Sequence, residues 1–430
     1  MKKVGLVSLG CHKNLVDSEN ILGLFDRNGY QITSNPEDAD IIIVNTCGFI
    51  ESSKKESIEN ILEMLNYGKK VVVTGCLVER YLDELKKEIP EVDAYIPIRG
   101  YQHFNQYLIS LDNDINPNLG LDDDYRILST GPFSAYLKIG EGCDNRCSYC
   151  AIPLIRGHFI SRPYDEIINE AKNLAAKGIK EIVVLEQDTT KYGIDLKDNK
   201  ANIVDLLKGL LEIKEFDYIR LLYLYPDEIS DDLIHLIASE PRLTPYFDIP
   251  IQHSESHILK RMNRRGDKEF LYSLFAKIKK EVPNAILRTT VMLGFPGEAE
   301  EDVNNLIKFM EDIKFDHLGS FAYSPEEGTP SINFPDQVDE DIKQERIKRV
   351  MKAQQRISYQ QNKKHIGQIM EGLVIGKENN SYLLRSYWNA PDDVDGKIYV
   401  KSDKELKLGE KIKIKITDAF VYDLMGELYE

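Results

Sequence analysis

No apolar run in this 430-residue chain approaches the length needed to span a bilayer, which excludes a transmembrane helix as the organising element. Positive charge is in deficit. Lys and Arg number 55 against 71 Asp and Glu, a formal net charge of −16. That balance disfavours non-specific binding to phosphate backbones and favours a basic partner. Cysteine is scarce, with six residues in the whole chain. Six are too few for a disulfide scaffold at this size, and a reducing compartment would keep them as thiols. Low-complexity tracts and short-period repeats are also lacking. The opening M-K-K-V-G-L-V-S-L-G-C has only a short apolar stretch and leads directly into a strand-and-helix pattern. We therefore expect no signal peptide and a cytoplasmic location. What remains is a hydrophobic content of 42%, enough for two or three domain-sized cores.

The six cysteines fall into two sets. Cys143, Cys147 and Cys150 form a tight run in G-E-G-C-D-N-R-C-S-Y-C. Cys11, Cys47 and Cys76 are scattered, yet each follows an apolar β-like run: V-G-L-V-S-L-G-C, I-I-I-V-N-T-C and V-V-V-T-G-C. Thiolates prefer soft metals, so zinc, copper and iron–sulfur centres are the candidates. A structural zinc site closes with four protein ligands, and His158 is the residue that could complete one at the tight run. A [4Fe–4S] cube is usually held by four cysteines; three leave one iron open. Cysteines placed for packing alone would more often lie inside the strands than just beyond all three of them.

Residues 1–112 alternate strand and helix signals, with strands at 4–9, 41–45, 71–75 and 92–98 and amphipathic helices such as 15–28 and 50–66. Near-continuous apolar strands with helical crossovers predict a doubly wound parallel-sheet α/β domain. Residues 113–131 have the polar, turn-rich composition of a linker. A second α/β unit spans 132–335, with strands at 134–139, 181–186, 218–224, 246–251, 286–293 and 317–323. Helices such as 164–177, 202–214 and 267–281 separate them. Six βα units suit a partial barrel whose active face lies at the C-terminal strand ends. Residues 336–364 read as an exposed connecting helix. Over 365–430, K-I-K-I-K-I alternates with period two, and further short strands predict a small antiparallel β-barrel. Neighbouring parallel strands lie about 4.8 Å apart, so loops leaving three adjacent strand ends span about 10 Å and can converge on one cluster.

C-x-x-x-C-x-x-C after the first strand of a βα repeat resembles the radical S-adenosylmethionine (SAM) superfamily. There, a three-cysteine [4Fe–4S] cluster leaves an iron free for SAM, and electron transfer cleaves the sulfonium. G-F-P-G-E, covering Gly294, Phe295, Pro296, Gly297 and Glu298, resembles the superfamily's turn near SAM. Gln187, in E-Q-D at the end of the second barrel strand, stands where the family contacts the SAM amino group, although the usual Gly-Gly-Glu is absent. Tyr149, just before the last cysteine, is a candidate to pack on an aromatic ring of the cofactor, with ordinary loop packing as the alternative. Asp248, Gln252 and His253 are polar at the fourth strand's end and are candidates to line the cavity. Arg156 is a candidate for an ion pair near cofactor or substrate, or equally for an ordinary surface or structural salt bridge.

The three-part layout resembles the methylthiotransferases, which join such an N-terminal domain to a partial (β/α)6 radical-SAM barrel and a C-terminal TRAM domain. The resemblance implies two [4Fe–4S] clusters. Cys143, Cys147 and Cys150 would hold the SAM cluster, and Cys11, Cys47 and Cys76 the sulfur-inserting one. It also implies SAM as cofactor and an electron donor such as a flavodoxin or ferredoxin. S-L-G-C-H-K-N-L-V-D-S-E, C-A-I-P-L-I-R-G and Y-S-P-E-E-G-T-P resemble the branch that modifies the β-carbon of an aspartate in a protein of the small ribosomal subunit. That branch usually has proline at His12. A second branch modifies tRNA adenosine. Residues 366–430 carry nine Lys/Arg and twelve Asp/Glu, a net of −3, which suits a basic ribosomal protein better than RNA. A non-catalytic iron–sulfur electron carrier is the alternative from another class, and it would need fully ligated clusters.

Overall fold

The run I-I-I-V at 41–44 becomes the centre of a five-stranded parallel sheet. In this computed structural model, which describes residues 1–196, 201–391 and 395–429, the strands are β1 (Lys3–Ser8), β2 (Gln31–Ile32), β3 (Ile41–Thr46), β4 (Lys70–Gly75) and β5 (Ala94–Ile96). They pair in the order β2-β1-β3-β4-β5, all parallel. Alternate residues of a strand face opposite sides. Ile41 and Ile43 accordingly enter one core with Val4, Leu24, Phe25 and Phe104, while Ile42 and Val44 enter another with Ile61, Met64, Val71 and Val73. Each of these four residues is essentially inaccessible to solvent, and such burial stabilises by about 1.5–3 kcal/mol per side chain. The crossovers include α1 (His12–Arg27), α2 (Glu51–Leu65) and α3 (Cys76–Glu88). The sequence reading missed only the two-residue edge strand β2.

The chain divides into two compact units. One comprises Met1–Ser129, Tyr136–Asn173 and Ser324–Ile332, and the other Thr130–Ala135, Leu174–Tyr323 and Asn333–Glu430. All six cysteines therefore belong to the first unit. The segment read as a linker is strapped onto that unit: Ile115 enters its core, and the Arg126 guanidinium reaches Glu19 at 3.1 Å and Glu170 at 3.0 Å.

In the second unit, Glu181–Leu185 and Tyr218–Leu221 pair in parallel, as do Tyr246–Asp248 with Ile286–Leu293 and the latter with His317–Ala322. A parallel bridge from Ile219 to Leu243 continues the βα order. The intervening helices start where the sequence supplies caps: Asn202 with Asp205 forms a capping box, and Ser230 and Asp267 each accept from a backbone amide of the first turn.

The helix Glu340–Lys363 corrects one expectation. It is not an exposed connector: Arg346, Val350, Ala353, Gln354, Ile357, Ser358, Gln361 and Asn362 are buried. Its inward face is largely polar, and its side chains donate to backbone carbonyls. Gln354 donates to the Phe315 carbonyl at 2.9 Å, Ser358 to that of Asp316 at 2.8 Å and Gln361 to that of Lys314 at 3.0 Å. A buried face built on hydrogen bonds carries little hydrophobic periodicity, so composition mimicked exposure.

The C-terminal strands Ile369–Glu378, Ser381–Ser386, Ile398–Lys401, Lys411–Ala419 and Leu424–Leu428 close into a barrel. Four pairings are antiparallel; the fifth, between Ile398–Lys401 and Leu424–Leu428, is parallel and completes the closure. Lys411, Lys413 and Lys415 face solvent while Ile412, Ile414 and Ile416 fill the barrel, as the alternation requires. The described residues contain no helix long and apolar enough to cross a membrane.

Candidate functional site

The adjacent strands β1, β3 and β4 deliver Cys11, Cys47 and Cys76 to one edge of the sheet, the carboxyl side where doubly wound folds bind ligands. Cys11 caps α1, and Cys76 is the first residue of α3. Two of the three thiols thus sit at helix N-termini, where unpaired amides favour negative charge. Closeness is direct: a Cβ added at Gly10, whose φ is +90°, would lie 3.0 Å from the Cys47 sulfur. Burial pushes the Cys76 thiol up to about 11; the Arg156 guanidinium pulls against this, and negative charge on Cys11 or Cys47 adds to it. Burial also raises Cys47, and Cys11 again contributes. The Cys47 backbone is clamped at both ends by Ser57, whose hydroxyl accepts from the Cys47 amide at 3.0 Å and donates to its carbonyl at 2.9 Å. Arg80 donates to the Gly48 carbonyl at 2.8 Å and pairs with Glu326 at the same distance, which explains the value of Y-S-P-E-E-G-T-P to this corner of the unit.

Gly75 holds φ at +95° just before Cys76, and a Cβ there would collide with the Asn45 side chain and the Thr46 carbonyl. Gly75→Ala is expected to destabilise the first unit by at least 1–3 kcal/mol, on the order of other substitutions that force a strained backbone. Urea unfolding of anaerobic protein would show it as a lower midpoint with an unchanged m-value.

The second triad lies on a compact loop. Cys150 N–H bonds the Cys147 carbonyl at 3.0 Å, Cys143 N–H bonds the Gly157 carbonyl at 3.2 Å, and Arg146 between them is left-handed, with φ at 51°. A non-glycine residue held there stores strain of a kind concentrated at functional loops. Cys143 and Cys150 are partly accessible and Cys147 is buried. His158, the candidate fourth zinc ligand, instead bonds Asp144 at 2.8 Å on an exposed ring. Tyr149 is buried beside the loop. His12 stacks on Tyr136 with ring centroids 4.6 Å apart. Among the described residues, no three His, Cys, Asp or Glu side chains close on a single metal ion. A cube spaces its thiolates more widely than one ion does, and three soft donors on glycine-flanked loops fit that larger group.

Arg156 was read as forming an ion pair near cofactor or substrate, or else an ordinary surface or structural salt bridge; it stands in a buried ion-pair network beside Cys76. It is buried, and its Nη1 donates to Asp17 at 2.7 Å and Glu141 at 3.1 Å. Its Nη2 donates to Asn14 at 3.1 Å and lies 3.5 Å from the Cys76 sulfur. Lys138 joins the network at 2.6 Å from Asp17 and 3.3 Å from Glu141. Burial alone would raise the Glu141 carboxyl; Arg156 and Lys138 outweigh it and hold the group below the usual carboxylate range. Sequence reasoning overlooked Asn14, Asp17, Lys138 and Glu141. The available signal was Asn14 and Asp17 three apart, polar on one helix face directly after Cys11.

In the second unit, Gly294 to Glu298 form the turn after Ile286–Leu293, as expected. Glu298 folds back: its Oε1 accepts from the Gly294 amide at 2.9 Å and from Arg346 at 2.8 Å. Its Oε2 lies 3.5 Å from His253 Nε2. The Glu255 amide donates to His253 Nδ1 at 3.0 Å, so the neutral ring carries its proton on Nε2, facing Glu298. Phe295 and Pro296 are buried in the same turn, and Gly297 is half-buried with φ at 84°. Gln187 is half-buried at the end of Glu181–Leu185, between the buried carboxylates Glu186 and Asp188. Asp248 is committed to structure, accepting from the Tyr223 amide at 2.9 Å and from Arg288 at 2.6 Å. Gln252 differs: it is left-handed, with φ at 68°, and its buried Oε1 has no hydrogen-bond partner among the described residues. A strained strand-end residue with an orphaned acceptor fits a site for a polar ligand.

Family models match three stretches: residues 3–97 match the one described as "Uncharacterized protein family UPF0004", 137–310 the radical SAM superfamily and 366–428 the TRAM domain. Among solved structures, the radical SAM methyltransferase TsrM from Kitasatospora setae, with tryptophan and a SAM analogue bound, has a TM-score of 0.55 at 14% identity. It covers 77% of this chain and 75% of its own, a likeness of fold. Among curated relatives, the ribosomal protein uS12 methylthiotransferase RimO of Caldicellulosiruptor saccharolyticus is 46% identical over 442 residues, covering 100% of both chains. That of Aquifex aeolicus is 48% identical over 428 residues, covering 99% of this chain and 96% of its own. With the three domain matches in their order and this identity along its full length, the chain belongs to the RimO family of radical SAM methylthiotransferases.

Proposed function

We propose that this enzyme inserts a methylthio group at the β-carbon of an aspartate in ribosomal protein uS12, using SAM and two [4Fe–4S] clusters in the cytoplasm. The observation that carries the two-cluster reading is the delivery of Cys11, Cys47 and Cys76 to one sheet edge by three adjacent parallel strands. Cys143, Cys147 and Cys150 would hold the cluster that serves SAM, and Cys11, Cys47 and Cys76 the one that serves sulfur transfer. When bound, such groups supply an electron for reductive SAM cleavage and a sulfur for insertion. In the reaction the aspartate β-C–H bond is broken and a C–S bond is made; the hydrogen leaves in 5′-deoxyadenosine, and the methyl group comes from a second SAM, which leaves as S-adenosylhomocysteine.

The chain's own residues keep these loops in place. Ser57 fixes the Cys47 backbone, Gly75 admits the tight entry to Cys76, and the bonds within 143–150 preshape the second triad. As SAM-contacting residues we propose Tyr149, beside its cysteine loop, and Gln187 with Gly294, Phe295, Pro296 and Gly297; Glu298 would act by bracing the turn. Functionally we divide the chain at 1–112, 113–131, 132–335, 336–364 and 365–430. The names of the relatives support uS12 as substrate, and the acidic C-terminal barrel supports a basic protein over RNA. A flavodoxin or ferredoxin is the class of electron donor that this chemistry needs.

The test offers anaerobic, dithionite-reduced enzyme and SAM to purified uS12 and to unmodified tRNA in parallel. Mass spectrometry should find one hydrogen replaced by a methylthio group on an aspartate of uS12, and tRNA unchanged. Modification of the tRNA with uS12 untouched would overturn the substrate assignment.

A further inference from the structure

We infer that Arg156 is a positioning residue for the iron–sulfur group at Cys76, donating a charged hydrogen bond to that sulfur and setting the group's reduction potential. The inference rests on the reading that Cys11, Cys47 and Cys76 hold a cluster. Arg156 ends the short helix Ile152–Arg156, which follows Cys150, so the segment carrying one triad supplies a donor to the other.

Three observations support this role. First, the charges inside the network already balance without the sulfur: Lys138 and Arg156 face Asp17 and Glu141. Second, the guanidinium fork divides its work. Nη1 serves the two carboxylates, while Nη2 is left to Asn14 at 3.1 Å and to Cys76 at 3.5 Å, both neutral partners until the thiol is metallated. Once Cys76 is a thiolate, that contact becomes charge-assisted and strengthens. Third, the side chain cannot drift. Arg156 is buried, and its partners Asn14 and Asp17 stand on α1, the helix that Cys11 caps. Asn14 is itself fixed by donating to the Leu9 carbonyl at 2.6 Å. A lysine could supply charge but not two directed donors on one nitrogen and two on the other. Hydrogen bonds to cluster sulfurs and nearby positive charge favour the more negative, reduced state and so raise the potential.

The test uses the full chain with Cys143, Cys147 and Cys150 all changed to Ala, reconstituted anaerobically, so that only the Cys76 cluster is present. Iron content and a reductive titration followed by electron paramagnetic resonance are the readouts. Arg156→Gln should move the midpoint to more negative potential by at least a tenfold change in the reduction equilibrium, about 59 mV for one electron. Arg156→Lys, which keeps the charge and loses the directed donor, should shift it the same way by less. If Arg156→Gln loses its iron, Arg156→Lys decides. Loss of iron from both, with the urea-unfolding midpoint of the iron-free parent retained, supports Arg156 as the residue that positions the group, because a packing role alone would lower that midpoint. Both variants holding about four irons at the parent's midpoint would overturn it. A parent with no iron would instead refute the second cluster itself, and this inference with it.

Discussion

Cys47→Ala should abolish methylthiolation of uS12 while reductive cleavage of SAM to 5′-deoxyadenosine continues at close to the wild-type rate. The separation follows from how the two triads are built. Cys47 stands directly after β3, and its backbone is held by Ser57 rather than by its own side chain. Alanine keeps both bonds and leaves only a small void, worth about 1 kcal/mol. What is lost is one of the three soft donors that β1, β3 and β4 deliver to that sheet edge. The loop of Cys143, Cys147 and Cys150 is shaped by its own hydrogen bonds, to Cys147 and Gly157, which do not involve Cys47. Chromatographic 5′-deoxyadenosine and the mass of uS12, measured on one reaction, separate the two activities. Loss of both together would mean that the triads do not act as independent centres.

Arg126→Met should cost the first unit about 3–5 kcal/mol, the usual penalty for breaking a buried ion pair from one side. Arg126 is almost inaccessible and bridges Glu19 and Glu170, and it also donates to the Tyr136 carbonyl. Glu19 uses its other oxygen for the amide and hydroxyl of Ser129, at 2.8 Å and 2.9 Å. Without the guanidinium, two carboxylates remain desolvated with one cation, Arg162, on Glu170. Burial already pushes Glu170 up, with Arg126 and Arg162 pulling against it. A carboxyl whose folded pKa is raised binds its proton more readily in the folded state, so its penalty shrinks as the pH falls. The deficit of Arg126→Met should therefore narrow on acidification, and Arg126→Met with Glu170→Gln should recover part of it. Urea unfolding at several pH values would show both effects. A loss under 1 kcal/mol that does not vary with pH would contradict this view of the strap at 113–131.

The parallel strands were legible because burial on both faces writes itself as unbroken I-I-I-V and V-V-V runs; Cys11, Cys47 and Cys76 were legible because each follows such a run, and Cys143, Cys147 and Cys150 by their mutual spacing. The barrel's K-I-K-I-K-I showed its inward isoleucines for the same reason. Its parallel closure was hidden, since period two does not state which neighbour a strand pairs with. The helix Glu340–Lys363 was misread because Gln354, Ser358 and Gln361 spend their polarity on buried carbonyls. Arg156 was visible as a charged residue in a suggestive motif, but its partners are 15 to 142 positions away in sequence, a range over which one sequence carries no pairing signal. The placement of both triads in one compact unit was equally hidden. It depends on 136–173 packing with the N-terminal sheet, a tertiary choice that local patterns do not record.

The central claim is that two three-thiolate sites each hold a cube. Iron and Mössbauer quantification of anaerobically purified enzyme tests it most directly. About eight irons per chain are expected, falling to about four when Cys11, Cys47 and Cys76 are changed to Ala and to about four when Cys143, Cys147 and Cys150 are changed instead. About four irons in the unaltered chain, all lost with the second substitution and none with the first, would contradict it.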